Sequence, residues 1–166
     1  MGQSPHLLIV WHSRTGASEA MARAAYAGAG GEGDGCAQLR RADAASADDL
    51  LAASVYLFVC PENLGTMSGL MKEFFDRTYY DLLGRIEGRA YASIIAAGSD
   101  GEGAQRQLDR ITTGWRLRRV ADPMIVNFAA QTPEAIAAPK QVPGKVLKTC
   151  RDLGQALAEG AALGMF

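Results

Sequence analysis

An α/β domain on a parallel sheet, with helices covering both faces, is the fold class this sequence predicts, and three observations carry the prediction. The runs His6–His12, Val55–Cys60 and Tyr91–Ala97 are apolar at successive rather than alternate positions, as in strands buried on both sides. Helix-compatible stretches separate them, so strand and helix alternate along the chain. Each run ends abruptly in glycine-, hydroxyl- or proline-bearing sequence. The 166 residues suffice for one domain spanning 1–166, with a core covered from two sides.

In chain order, His6–His12 is the first strand and Ala17–Ala29 an alanine-rich helix, closed by the flexible run Gly28 through Gly35. Cys36–Arg40 is short and weakly strand-like, Asp48–Ala53 a short helix, and Val55–Cys60 a clear β-rich run. Ser68–Leu83 has the clearest helical period. Leu70, Met71, Phe74, Phe75, Leu82 and Leu83 share one side, Lys72, Glu73, Asp76 and Arg77 face outward, and Gly84 supplies a stop. After Tyr91–Ala97 come the glycine-rich stretch Gly98–Gly103, a helix from near Ala104 and a strand at Pro123–Phe128. Pro133, Pro139 and Pro143 break the connection to a last helix near Lys145–Glu159. The five strands are expected to form one five-stranded parallel sheet.

Composition removes several classes of function. A formal net charge of -1 provides no global field for nucleic acid or an anionic membrane. No apolar stretch is long enough for stable membrane insertion, and His6–Val10 lacks the form of a leader, so the expected location is cytoplasmic. Cys36, Cys60 and Cys150 are widely spaced and odd in number, which argues against a disulfide framework; Cys60 reads as a buried filler. His6 and His12 form no ligand set with them, so no metal is expected. His12 reads as a packed strand-end residue.

Three strand ends fall on the same edge of a parallel sheet, where such sheets bind ligands. The first, Ser13, Arg14, Thr15, Gly16, Ala17 and Ser18, places hydroxyls and a glycine at a helix N-terminus, whose free amides and dipole attract phosphate. The second, Pro61, Glu62, Asn63, Leu64 and Gly65 through Thr66, offers backbone polar groups, an amide and an apolar contact. The third offers Gly98, Ser99, Asp100, Gly101 and Gly103. Asp100 and Glu102 would repel a phosphate there, so backbone amides facing the uncharged part of a planar ligand are expected instead.

The element order and these loops resemble the flavodoxin-like family, closest to its compact NAD(P)H-dependent FMN reductases. Ser13–Ser18 resembles the family's FMN phosphate loop. Pro61 through Gly69, running into Met71-Lys72-Glu73-Phe74-Phe75-Asp76-Arg77, is similar to its isoalloxazine loop and following helix, and Ala97–Gly101 with Gly103 stands where its third flavin-contacting loop stands. The resemblance implies a flavodoxin-like three-layer sandwich that binds FMN, accepts hydride from NADPH or NADH and reduces a small-molecule acceptor such as a quinone or flavin. It implies no obligatory catalytic side chain, because the cofactor carries the chemistry. A flavodoxin-type electron carrier serving a protein partner, and a binding protein without redox turnover, are the alternatives. Where many relatives carry an aromatic residue in the second loop, this chain has Glu62-Asn63-Leu64, and the third loop also lacks one, so incomplete flavin occupancy is expected.

Some residues keep two readings. Glu62 either faces the ring, where its charge disfavours reduction, or points to solvent. Arg106, Arg110, Arg116, Arg118 and Arg119 form either a solvated face or an attractor for the extra phosphate of NADPH or for an anionic acceptor. Trp115 is core or interface anchor, and Tyr79 or Tyr80 either approaches the site or packs elsewhere. Phe74, Phe75, Tyr79 and Tyr80 are the candidates for a homodimer surface.

Overall fold

The computed structural model describes residues 7–33 and 35–166, so His6 at the head of the first expected strand, and residue 34 in the glycine run, lie outside the described residues. The elements are β1 (Leu7–Trp11), α1 (Ala17–Gly28), β2 (Ala37–Arg41), α2 (Ala47–Ala52), β3 (Val55–Asn63), β4 (Thr66–Met67), α3 (Gly69–Leu82), β5 (Ala90–Ala97), α4 (Glu102–Gly114), β6 (Arg118–Arg119), β7 (Met124–Asn127), α5 (Pro133–Ala137) and α6 (Gly144–Ala162). The central strands run β2-β1-β3-β5, all parallel, and β6 and β7 pair with β5 at its beginning and its end. The fifth place in the sheet is therefore filled by two short pieces. Pro123, which lacks an N–H, sits between them.

Successive apolar positions have the expected cause. Leu7, Ile9 and Trp11 face one core with Met21 and Ala25 of α1 and Leu157 of α6. Leu8 and Val10 face the other with Leu50, Phe74, Phe75 and Leu108 from α2, α3 and α4. The result is a flavodoxin-like three-layer sandwich. Within α3 the buried stripe is Met71, Phe74, Phe75, Thr78 and Leu82, and Thr78 satisfies its hydroxyl on Phe74 O at 2.9 Å. Leu70 and Leu83, expected on that stripe, are exposed because they flank it by one residue at either end. Lys72–Asp76 and Glu73–Arg77 pair on the outer face, and Arg77 also donates to Ala42 O and Ala45 O, tying α3 to the turn before α2.

Short elements account for the other departures. α2 begins with a reciprocal capping box between Ser46 and Asp49. Trp115 belongs to the core, 5.2 Å from the Phe75 ring. Phe74 and Phe75 are buried and leave only Tyr79 and Tyr80 of their group exposed. Burial pushes the Cys60 thiol up to about 12, consistent with an inert filler. Among the described residues, no helix is long and apolar enough to cross a membrane.

Candidate functional site: a cavity where the strand order reverses

From β1 the chain passes to β2 on one side and, later, to β3 on the other, so the connections diverge beyond the strand C-termini. A cavity of about 700 Å³ opens there, within the range of small-molecule sites. Four chain segments wall it.

The first wall is Ser13, Arg14, Thr15, Ala17 and Ser18. Gly16 makes the turn behind it rather than lining it. Its φ of 95° is a left-handed conformation that glycine adopts freely, and its N–H donates to Ser13 Oγ at 3.1 Å. Ala20 N–H is the first to find an α1 partner, on Gly16 O, so the amides of Ala17, Ser18 and Glu19 have no acceptor within the helix. Ser18 is buried, and its hydroxyl oxygen has no hydrogen-bond partner among the described residues.

The second wall is Pro61, Glu62, Asn63, Leu64 and Gly65, and it is not a loose loop. β3 continues through Asn63 and folds back as β4, pairing Glu62 with Met67 and Asn63 with Thr66. Leu64 and Gly65 form the tip with φ of 53° and 76°, the sign pattern of a primed hairpin turn. Leucine in the first tip position hides the Asn-Gly or Asp-Gly signature that would mark such a turn in sequence. Its side chain is fully exposed at the cavity lip.

Glu62 follows neither sequence reading. Its carboxylate accepts from Gly101 N–H and Ala104 N–H, both at 2.9 Å, and so closes the N-terminus of α4. Accordingly Gly98 and Ser99 line the cavity with Ala96 and Ala97, whereas Asp100, Gly101 and Gly103 do not. Gly101, expected among the cofactor-binding residues, gives its amide to Glu62. Gly103 serves a close approach instead: a Cβ there would stand 2.0 Å from Gly65 O.

The fourth wall, Phe128, Ala130, Ile136, Ala137 and Lys140, is absent from the sequence-based site. It is a strap from the end of β7 through α5. Thr132-Pro133 carries a readable helix-start signal, and Thr132 Oγ1 does accept from Ala135 N–H. That signal says nothing about where the helix lies. Phe128 supplies the cavity's aromatic side chain; Tyr79 and Tyr80 are not in its lining.

Hydrogen bonds join the four walls into a closed ring. His12 Nδ1 and Ser68 Oγ lie 2.7 Å apart, linking the first wall to the base of the hairpin. Glu62, and Gln107 Oε1 accepting from Met67 N–H at 2.8 Å, fasten the hairpin to α4. Ala130 N–H donates to Gly98 O at 2.7 Å, and Lys140 N–H donates to Thr15 O at 2.8 Å. Burial, and then the charges of Arg14 and Arg41, hold His12 below its ordinary pKa, against a smaller opposing pull from Asp43.

Arg116, Arg118 and Arg119 lie away from the cavity. Arg118 and Arg119 pair with Ala90 and Tyr91 at the start of β5, six residues from Ala96, or roughly 20 Å along the strand from the cavity. Arg119 is committed to Asp109 and stacks over Tyr91, and Arg116 lies 3.9 Å from Glu87. Proximity to the third loop, which motivated a nucleotide-phosphate role, does not hold for these three.

Residues 19–131, more than half of the chain, match the family described as NADPH-dependent FMN reductase. The chain belongs to that family. It is also 29% identical over 163 residues to a flavodoxin of Aquifex aeolicus (strain VF5), covering 95% of this chain and 87% of that one. Solved structures share the fold at lower identity. A flavodoxin, WrbA-like protein from Agrobacterium tumefaciens is similar with a TM-score of 0.74 at 20% identity, over 96% of this chain and 99% of that one. A flavodoxin from the domain Archaea has a TM-score of 0.74 at 19% identity, over 95% and 99%. The family match begins immediately after Ser18 and ends before α5, so the first wall and most of the strap lie outside it.

Proposed function

We propose that the cavity binds FMN, with its phosphate on the first wall and its ring between the hairpin and Gly98–Ser99. We further propose that the protein takes hydride from NADPH or NADH and reduces a small acceptor such as a quinone or flavin. The observation that carries the binding reading is the buried hydroxyl of Ser18, unpartnered among the described residues at a helix N-terminus whose first three amides also lack acceptors there. Such a group costs stability unless a ligand answers it, and a phosphate oxygen is the acceptor this donor set suits. Bound there, FMN supplies the redox chemistry. The chain's part is to hold and shield. Ser18 and the α1 amides anchor the anion, Pro61, Leu64 and Phe128 offer apolar contact, and the strap narrows access of water. No side chain receives a proton-transfer role, since Glu62 is engaged by α4 and His12 by Ser68.

The electron-carrier reading has its own support in the flavodoxin relative and in Leu64, an exposed apolar group at the lip where a protein partner would touch. Purified protein mixed with FMN and passed through gel filtration tests binding. Retained flavin absorbance is expected, and none at micromolar protein rejects the cofactor. Anaerobic NADPH or NADH then separates the readings: rapid bleaching marks a reductase, and persistent colour bleached only by a reducing protein marks a carrier.

A further inference from the structure

Among the described residues, Lys140 carries a charge that no carboxylate pairs with. Its ammonium donates to the carbonyl oxygens of Ala135, Ile136 and Ala138 at 2.8, 3.0 and 2.6 Å. All three hydrogens are thereby placed on neutral oxygens. Among the described residues no carboxylate pairs with it, in contrast to Lys72 and Lys148, which sit on Asp76 and Asp152. The carbonyl cradle fixes the ammonium in position without cancelling its charge. Lys140 is half-buried and lines the same cavity as Ser13–Ser18, and its own backbone N–H is bonded to Thr15. The acid in the cavity lining, Glu62, belongs to the opposite wall and is spent on α4. A preorganised cation on a residue whose backbone is bonded to the first wall adds attraction for an anion in the shared cavity with little ordering cost on binding.

We infer that Lys140 is a specificity-determining residue for a phosphate monoester: it makes the first wall prefer a phosphorylated ligand over the same ligand without phosphate. The inference rests on the FMN reading above but assigns the discrimination to the strap, outside residues 13–18. FMN and riboflavin share the ring and differ in the phosphate, so titrating both against the full chain, wild type, Lys140→Gln and Lys140→Arg, isolates it. Wild type is expected to prefer FMN. Lys140→Gln should weaken FMN roughly ten-fold, leave riboflavin unchanged and flatten the salt dependence of FMN binding, whereas Lys140→Arg keeps the preference. Equal weakening of both flavins by Lys140→Gln identifies a strap that is merely structural and overturns the inference, as does no change in either. Wild type that binds both flavins equally overturns the inference alone; wild type that binds neither overturns the cofactor reading and this with it.

Discussion

Two helices begin at this cavity's edge with the same backbone. α1 starts from Gly16 at φ 95°, ψ -16°, and α4 from Gly101 at φ 94°, ψ -18°. Neither glycine brings a side-chain cap. At α1 the first amides and the Ser18 hydroxyl are left without acceptors, whereas at α4 Glu62 reaches across from the hairpin and occupies Gly101 and Ala104. Matching turns therefore yield one helix start whose amides stay free and one that is capped, and the difference comes from a carboxylate about forty residues upstream of α4. A glycine before a helix specifies the geometry of an anion site. It does not specify whether another part of the chain caps the amides.

The strongest way to break this contrast is to remove the plug. Glu62→Ala strips two hydrogen bonds to a charged acceptor from the start of α4 and leaves Glu102 as the acid of its first turn, an expected loss of about 2–3 kcal/mol. Urea unfolding of the apoprotein measures it, and added inorganic phosphate should recover none of the loss, because Asp100 and Glu102 stand beside the reopened amides. An unchanged midpoint would mean that water serves those amides as well as Glu62 does.

Filling in the open end gives an effect of opposite sign. Ser18→Ala removes a buried hydroxyl that has no partner in the apoprotein and places a better helix former in the first turn, so apoprotein stability should rise by about 1 kcal/mol. FMN affinity should fall at the same time. A stabilised variant with weakened binding marks a group kept for a ligand; a destabilised one would mean that Ser18 is satisfied within the fold.

The pH response tests the ring where the first wall meets the hairpin. The folded state disfavours protonated His12, because it is buried and faces Arg14 and Arg41, with Asp43 opposing. An unfolded chain takes up that proton near the ordinary value of 6.5, so stability is fully present above this pH and declines as pH falls below it, until the folded-state value is reached. His12→Gln should flatten this part of the stability–pH curve. An equal slope in both proteins would assign the decline to other groups.

How much of this was legible in sequence follows from the range of each interaction. The sheet was readable because Leu7–Trp11 and Val55–Cys60 show burial on both faces directly as unbroken apolar runs. The first wall was readable because its hydroxyls, glycine and helix start are contiguous. Glu62 was not, since its partners are 39 and 42 residues away and a carboxylate beside glycines looks the same whether it caps a helix or faces a ring. Lys140 escaped for the same reason: its contact with Thr15 spans most of the chain, and the prolines around it signal only that regular structure stops. Short β6 failed differently, because two residues paired at the foot of β5 leave no periodicity to read.

Leu64 offers the smallest effect and the finest test of the two ends. Its φ of 53° is one that L-residues resist at a cost of roughly 1–2 kcal/mol, and its exposed side chain recovers none of that cost by burial. Glycine removes the strain but adds freedom to the unfolded chain, so Leu64→Gly should stabilise the apoprotein by only about 0.5 kcal/mol. A strained, exposed leucine at a cavity lip is what contact with a ligand ring or a partner would retain. If it touches the ring, Leu64→Gly should weaken FMN and riboflavin by the same few-fold factor, the opposite pattern to a change at the phosphate end. Unaltered binding of both flavins, together with slower electron exchange with a protein partner, would instead move Leu64 from the ring to the docking surface. That result would favour the carrier over the reductase.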